Sequence, residues 1–198
     1  MNRLLKHWRL TGRSEAFSAK VVAYADDFVI LSRGHAHTAL EWTRGVMTKL
    51  GLTVNETKTS VRDARRERFD FLGYAFGPHH FRKDGHWYLG ASPSRKSIQK
   101  IKDKVRSMLR RGDTRPLDEI VLALNRVLRG WSNYFSLGTR VPAYRAVDNH
   151  VYDRMRNFLA SRHKSRGSRR FSRSVMFGEI GVQQMARVYY GSRPTALQ

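Results

Sequence analysis

Two carboxylates stand side by side at Asp26 and Asp27, between the apolar runs Val21-Val22-Ala23-Tyr24 and Phe28-Val29-Ile30-Leu31. β-Prone runs of this kind read as strands, and the polar break between them reads as a hairpin turn. Asp tolerates the positive φ that tight hairpins ask for, so the pair is expected at the tip without a glycine. Like charges about 4 Å apart at an effective dielectric near 20 repel by roughly 4 kcal/mol. Either one carboxyl is protonated or a cation sits between them. A hard divalent ion such as Mg²⁺ suits one or two carboxylates completed by water and phosphate. Taken alone, the dipeptide is more simply an acidic turn.

The elements that must position the pair follow in the chain. Ser32 to His37 reads as a loop, with His35 and His37 solvated rather than metal ligands. Thr38 and Glu41 form a T-x-x-E capping box, and Leu40, Thr43, Met47 and Leu50 repeat at helical spacing up to Gly51, a C-terminal stop. Leu52-Thr53-Val54 reads as a short strand. Lys58 follows in a polar turn, and Arg62, Arg65, Arg66 and Arg68 crowd one segment. Phe69 to Phe76 is strongly β-prone. Phe81 to Leu89 reads as a second hairpin around Asp84-Gly85, with Trp87 and Leu89 on one face. The first twenty residues are basic, show no clear periodicity, and carry Glu15 as their only acid.

From Ser92 the pattern turns helical. Pro93, with Ser92 or Ser94, makes a helix start. Three apolar stripes succeed one another: Ile98, Ile101, Val105, Met108; Leu117, Ile120, Val121, Leu124, Leu128, Trp131; and Tyr144, Val147, Val151, Met155, Phe158. These spacings predict a small three-helix bundle. Lys96, Lys100, Lys102, Lys104 and Arg106 place a basic face opposite the first stripe. Ser161 to Arg173 then holds Arg162, Lys164, Arg166, Arg169, Arg170 and Arg173 and no acid, the pattern of an arm that orders on nucleic acid. Phe177 to Gly191 reads as a short strand or a docked tail.

Composition narrows the partner. Thirty-eight Lys and Arg against sixteen Asp and Glu give the 198-residue chain a net charge of +22, which fits a polyanion, nucleic acid before an anionic membrane surface. The absence of cysteine excludes disulfides and Cys-based zinc modules. No apolar run approaches membrane-spanning length, and the expectation is a soluble, cytoplasmic protein.

These residues carry a resemblance. Tyr24-Ala25-Asp26-Asp27 before Phe28-Val29-Ile30 resembles the YADD hairpin of reverse transcriptases. Gly51-Leu52 with Asn55, Lys58 and Thr59 resembles the next palm block, and Phe71-Leu72-Gly73-Tyr74 the primer-grip block after it. Pro93-Ser94 leading into basic helices, with Trp131, Tyr134 and Phe135, is similar to the thumb or maturase domain of group II intron reverse transcriptases. Phe177 to Val182 resembles a C-terminal block of the same proteins. The resemblance implies an α+β chain: a partial antiparallel palm over 18–91, a three-helix thumb/maturase bundle over 92–162, and a basic arm and tail over 163–198, after a basic segment 1–17. It implies Asp26 as a metal ligand, Asp27 as ligand or support, and a two-ion Mg²⁺ site. Lys58 would lie near the incoming triphosphate, and Tyr24, Ala25, Phe71, Leu72 and Gly73 near primer and nucleotide. Lys96, Lys100, Lys104 and the arm would meet group II intron RNA or an RNA/DNA hybrid. The fingers and the palm strand that bears the family's third aspartate have no counterpart here. The expectation is therefore the C-terminal fragment of a group II intron reverse transcriptase/maturase, binding intron RNA and assisting splicing but without polymerase activity of its own. Its alternatives are a stand-alone RNA-binding protein and one half of a split polymerase.

Overall fold

The computed structural model describes residues 2–81, 84–164 and 171–186. The chain is α+β and divides into two compact units, Met1–Asp63 and Ala64–Gln198. The division falls inside the span that the sequence resemblance treats as one palm.

The first unit opens with helix α1 (Asn2–Leu10) and the short α2 (Arg13–Ala16), followed by strands β1 (Ala19–Tyr24) and β2 (Asp27–Ser32) and helix α3 (Ala36–Lys49). The basic N-terminal segment, whose sequence shows no clear periodicity, is thus helical over Asn2–Leu10 and Arg13–Ala16. Leu4 and Trp8, four apart, share one helix face and are both buried. Trp8 stands edge-on to Trp42 at 5.4 Å, and its indole N–H donates to Ser14 Oγ at 3.0 Å. β1 and β2 pair antiparallel, and one face of the pair sends Ala19, Val21 and Ile30 into this aromatic cluster.

α3 starts three residues earlier than the capping box predicts. Its N-cap is His35, without a side-chain cap bond, so Thr38 and Glu41 lie inside the helix. Its end follows expectation: the Gly51 N–H donates to the Thr48 carbonyl and the Leu52 N–H to that of Met47, a Schellman stop. Leu52 to Val54 is not a strand, because no neighbouring strand accepts its backbone bonds among the described residues. Val54 instead packs beside Val46 and Met47.

The second unit begins with a three-stranded antiparallel sheet, β3 (Phe69–Phe71), β4 (Tyr74–His80) and β5 (Trp87–Pro93). The apolar run from Phe69 to Phe76 is thus two strands, folded back at Leu72 and Gly73, whose φ values of 49° and 78° are those of a type I′ hairpin turn. Ser94 caps α4 (Arg95–Met108), its Oγ accepting from the Ser97 N–H at 3.2 Å. Helices α5 (Leu117–Tyr134) and α6 (Val141–Arg162) complete a three-helix bundle. Each of the three stripes read from sequence lies buried in, or packed against, one core.

Two features join sheet to bundle. The type I′ turn is clamped, with the Gly73 carbonyl accepting from Ser94 N–H at 2.8 Å and Ser97 Oγ at 2.9 Å. The α5–α6 link lies against β5, where the Thr139 N–H donates to the Ala91 carbonyl at 2.7 Å. Gly138 is required there, since a β-carbon would collide with that carbonyl.

Phe171 to Ala186 also pack on the bundle, through a π-helical turn at Val175–Glu179. Phe171, Met176, Val182 and Met185 are buried in the common core. Of the two sequence readings of this segment, the docked tail describes the residues to Ala186. Asp148, buried within α6, accepts the N–H groups of Met185 and Ala186 at 3.0 and 2.9 Å.

Candidate nucleic-acid interface and acidic hairpin

The hairpin tip is a two-residue turn, but its members are Ala25 and Asp26. Asp27 already belongs to β2 and pairs with Tyr24. The positive φ expected of an aspartate falls instead on Ala25, at 50°. Tyr24, Ala25, Asp26 and Asp27 are all exposed. Lys58 sits in a turn after α3, where its N–H donates to the Asn55 carbonyl at 3.1 Å. That turn is tied to α3 by a bidentate pair between Arg44 and Glu56, with Nε to Oε1 at 3.0 Å. The Arg44 guanidinium holds the Glu56 carboxyl below the usual carboxylate range. Sequence reasoning passed over this pair, although its residues are the kind that meet across a helix and its following loop.

Among the described residues, no hydrogen bond or ion pair joins Lys58 to either aspartate. No group of three His, Asp or Glu side chains there could hold a metal. A two-ion phosphoryl-transfer site needs carboxylates that bracket both ions. The described residues offer one exposed pair and so do not fit such a clamp.

The basic residues are better placed. Lys96, Lys100 and Lys104 are exposed on α4 at intervals of four, one line along the helix beside the buried stripe of Ile101 and Val105. The one acid of α4, Asp103, is occupied by Gln99 and Arg106. Three lysines so arranged repel, at roughly 0.2–0.5 kcal/mol for each i,i+4 pair, and among the described residues no ion pair to these lysines offsets it. A row of phosphates would.

Of the arm, Arg162 and Arg173 carry structural duties as well. Arg162 Nη1 donates to the Arg115 carbonyl at 2.7 Å, closing the α4–α5 loop. There the Arg115 guanidinium holds the Asp113 carboxyl down to about 2. Arg173 donates to Asn149 Oδ1 at 2.7 Å and lies 4.6 Å over the Tyr152 ring. Lys164 is exposed. Arg166, Arg169 and Arg170 lie outside the described residues. Phe71, Leu72 and Gly73 lie at the clamped turn and are half-buried, with the Leu72 and Gly73 carbonyls taken up by Tyr134, Ser94 and Ser97.

Comparison with known families places this lysine-bearing bundle. Residues 98–175 match the family model described as Group II intron, maturase-specific domain. The match runs from early α4 through α6 to the start of the docked tail, and it supports the C-terminal part of a group II intron maturase. No curated protein matches the chain. The maturase-specific segment thus contains Lys100 and Lys104 and the two structural arginines, while Lys96 lies just ahead of it. The acidic hairpin lies outside it. No described helix is long and apolar enough to cross a membrane.

Proposed function

We propose that this chain binds group II intron RNA and assists its splicing, with the lysine line of α4 and the basic arm as the phosphate-facing surface. The single observation that carries the reading is the maturase-specific match over the same bundle that exposes Lys96, Lys100 and Lys104. In this reading the Tyr24–Asp27 hairpin is a reverse-transcriptase palm hairpin and Leu72-Gly73 a primer-grip turn. The chain alone does not polymerise. Protein and a group II intron transcript are combined at a Mg²⁺ concentration where the RNA splices slowly unaided. Faster splicing, with weaker binding to an unrelated RNA of equal length, is the expected result. Equal affinity for both RNAs and no change in splicing would refute it.

One observation favours a second reading, a split polymerase. The outer face of the first hairpin exposes Val22, Tyr24 and Leu31, and among the described residues neither β1 nor β2 has another neighbour. An open, apolar two-stranded edge is suited to receiving further strands. Co-expression with the fingers and early palm of a related polymerase tests it. A stable complex with primer extension supports it, and no complex removes it.

A further inference from the structure

The second hairpin carries an aromatic surface that the maturase-specific match, confined to the helices and the start of the tail, does not include. Register places Trp87 opposite His80 and Leu89 opposite Pro78, so these four side chains share one face of the sheet. Trp87 is 68% exposed and Leu89 62%, the former the most exposed of the chain's four tryptophans. The alternate residues are the ones held down: His79 is buried, and the Tyr88 hydroxyl shares a hydrogen bond with Thr139 Oγ1 at 2.8 Å. The His80 ring stands edge-on to the Trp87 indole at 5.2 Å, which fixes the indole without covering it. Phe81, next along, is 41% exposed. β4 and β5 contain no Asp or Glu. Asp84 at the tip accepts from the His86 ring, and Arg68, on the β3 side of β4, donates from Nη2 to the Pro78 carbonyl at 3.2 Å.

We propose that Trp87 is a stacking platform for an unpaired RNA base, with Leu89 and His80 beside it on the same face of the sheet. The inference rests on the RNA-binding reading above. Exposed aromatics on antiparallel strands, next to cationic side chains, are the chemistry by which single-stranded RNA is held. A protein partner fits less well. Three apolar side chains expose a few hundred Å² at most, short of the roughly 800 Å² per partner of a stable interface. The lack of acidic side chains on both strands favours a polyanion.

The test compares the full chain with Trp87→Ala and Trp87→Phe, using an oligouridine of about 12 nucleotides and an RNA duplex of the same length. Trp87→Ala should weaken single-strand binding about five- to 150-fold, the range for losing one base stack. Trp87→Phe should keep most of the affinity. The dependence of log Kd on log salt should be the same in all three, since no charge is removed. Duplex binding should not change, and the tryptophan emission quenched by the single strand should be lost in both variants. Equal single-strand affinity in Trp87→Ala, or an equal loss on duplex, overturns the platform while leaving intron binding standing. A wild-type dimer that Trp87→Ala dissolves overturns it in favour of a second copy. A wild-type chain that binds no RNA, intron transcript included, overturns both readings.

Discussion

The Tyr74 hydroxyl donates to the Tyr134 carbonyl at 2.8 Å, while the Tyr134 hydroxyl donates back to the Leu72 carbonyl at 2.9 Å. The two residues lie sixty apart in sequence and lock the Leu72-Gly73 turn to the end of α5. Phe135 closes the arrangement, its ring 4.9 Å from Tyr74. The turn that resembles a primer grip is therefore held to the bundle by Tyr134 of α5, with Tyr74 of β4 returning the bond.

Gly73 is the sensitive point of that joint. Its φ is 78°, and a β-carbon would come within 2.9 Å of Ser97 Oγ and 3.2 Å of Phe135. Gly73→Ala should destabilise the second unit by about 1–3 kcal/mol, combining backbone strain with the clash. Tyr134→Phe removes one hydrogen bond and should cost only about 0.5–1.5 kcal/mol. Urea denaturation of the full chain, followed by far-ultraviolet circular dichroism, checks both. If the two variants are equally stable, the turn is not the joint.

The bundle was legible in the sequence because helical burial repeats every three to four residues, and Val105, Leu124 and Val147 are buried where that period puts them. The Leu72-Gly73 turn was not, since it is hidden inside a β-prone, mostly apolar run and its positive φ at Leu72 has no compositional signature. α1 was missed because two buried residues out of nine, Leu4 and Trp8, make too weak a period among basic neighbours. Phe171 reads as part of a basic arm yet is a core residue. At the acidic hairpin the strands were legible and the turn register was not. The side chain that takes the left-handed conformation there is Ala25, which no turn propensity singles out.

The lysine line gives variants opposite effects on binding and folding. Changing Lys96, Lys100 and Lys104 together to Gln should weaken RNA binding and lower the salt slope by about 0.7–0.9 for each phosphate that is no longer neutralised. The same change removes two like-charge i,i+4 pairs and should stabilise α4 by about 0.4–1 kcal/mol. Salt-dependent binding and thermal melts are compared on one preparation. Weaker binding together with a lower melting temperature would point to damage of the fold instead of a missing charge at the phosphates.

Asp148 ties the tail to α6 and should make that tie depend on pH. Burial pushes its carboxyl up from the ordinary value, partly opposed by the N–H groups of Ala186 and Met185 and by the charge of Arg173. A carboxyl whose folded pKa is raised favours the folded state most below its unfolded value, near 3.9, and that contribution fades as pH rises through the folded one. The stability difference between wild type and Asp148→Asn should therefore shift towards the variant on going from about pH 4 to pH 7. Asp148→Ala, which orphans two N–H groups, should cost about 1–3 kcal/mol and speed amide exchange at Met185 and Ala186. Unchanged exchange at those amides would mean that the tail is held by its apolar residues alone.

Ala25 carries local strain at the tip of the acidic hairpin. An L-residue in the left-handed region costs roughly 1–2 kcal/mol, against roughly 0.5–1 kcal/mol of extra chain entropy for glycine. Ala25→Gly should leave the first unit as stable or up to about 1 kcal/mol more so, measured by denaturation. A clear loss of stability would show that the Ala25 methyl group packs well enough to outweigh its backbone cost.

Primer extension separates the hairpin's chemistry from the chain's binding. Joining a nucleotide to a primer requires ions that hold both the attacking oxygen and the leaving pyrophosphate in line. The described residues supply Asp26 and Asp27 but no third metal-binding side chain beside them. The chain with RNA template, DNA primer, deoxynucleotides and Mg²⁺ should therefore give no extension. Asp26→Asn should leave its RNA affinity unchanged, because the cations proposed to meet phosphate are those of α4 and the arm and the substitution touches none of them. Extension that disappears in Asp26→Asn would show that the pair assembles a working site after all, with its remaining ligand drawn from outside the described residues. A drop in RNA affinity equal to that of the α4 lysine variant would place RNA on the hairpin itself.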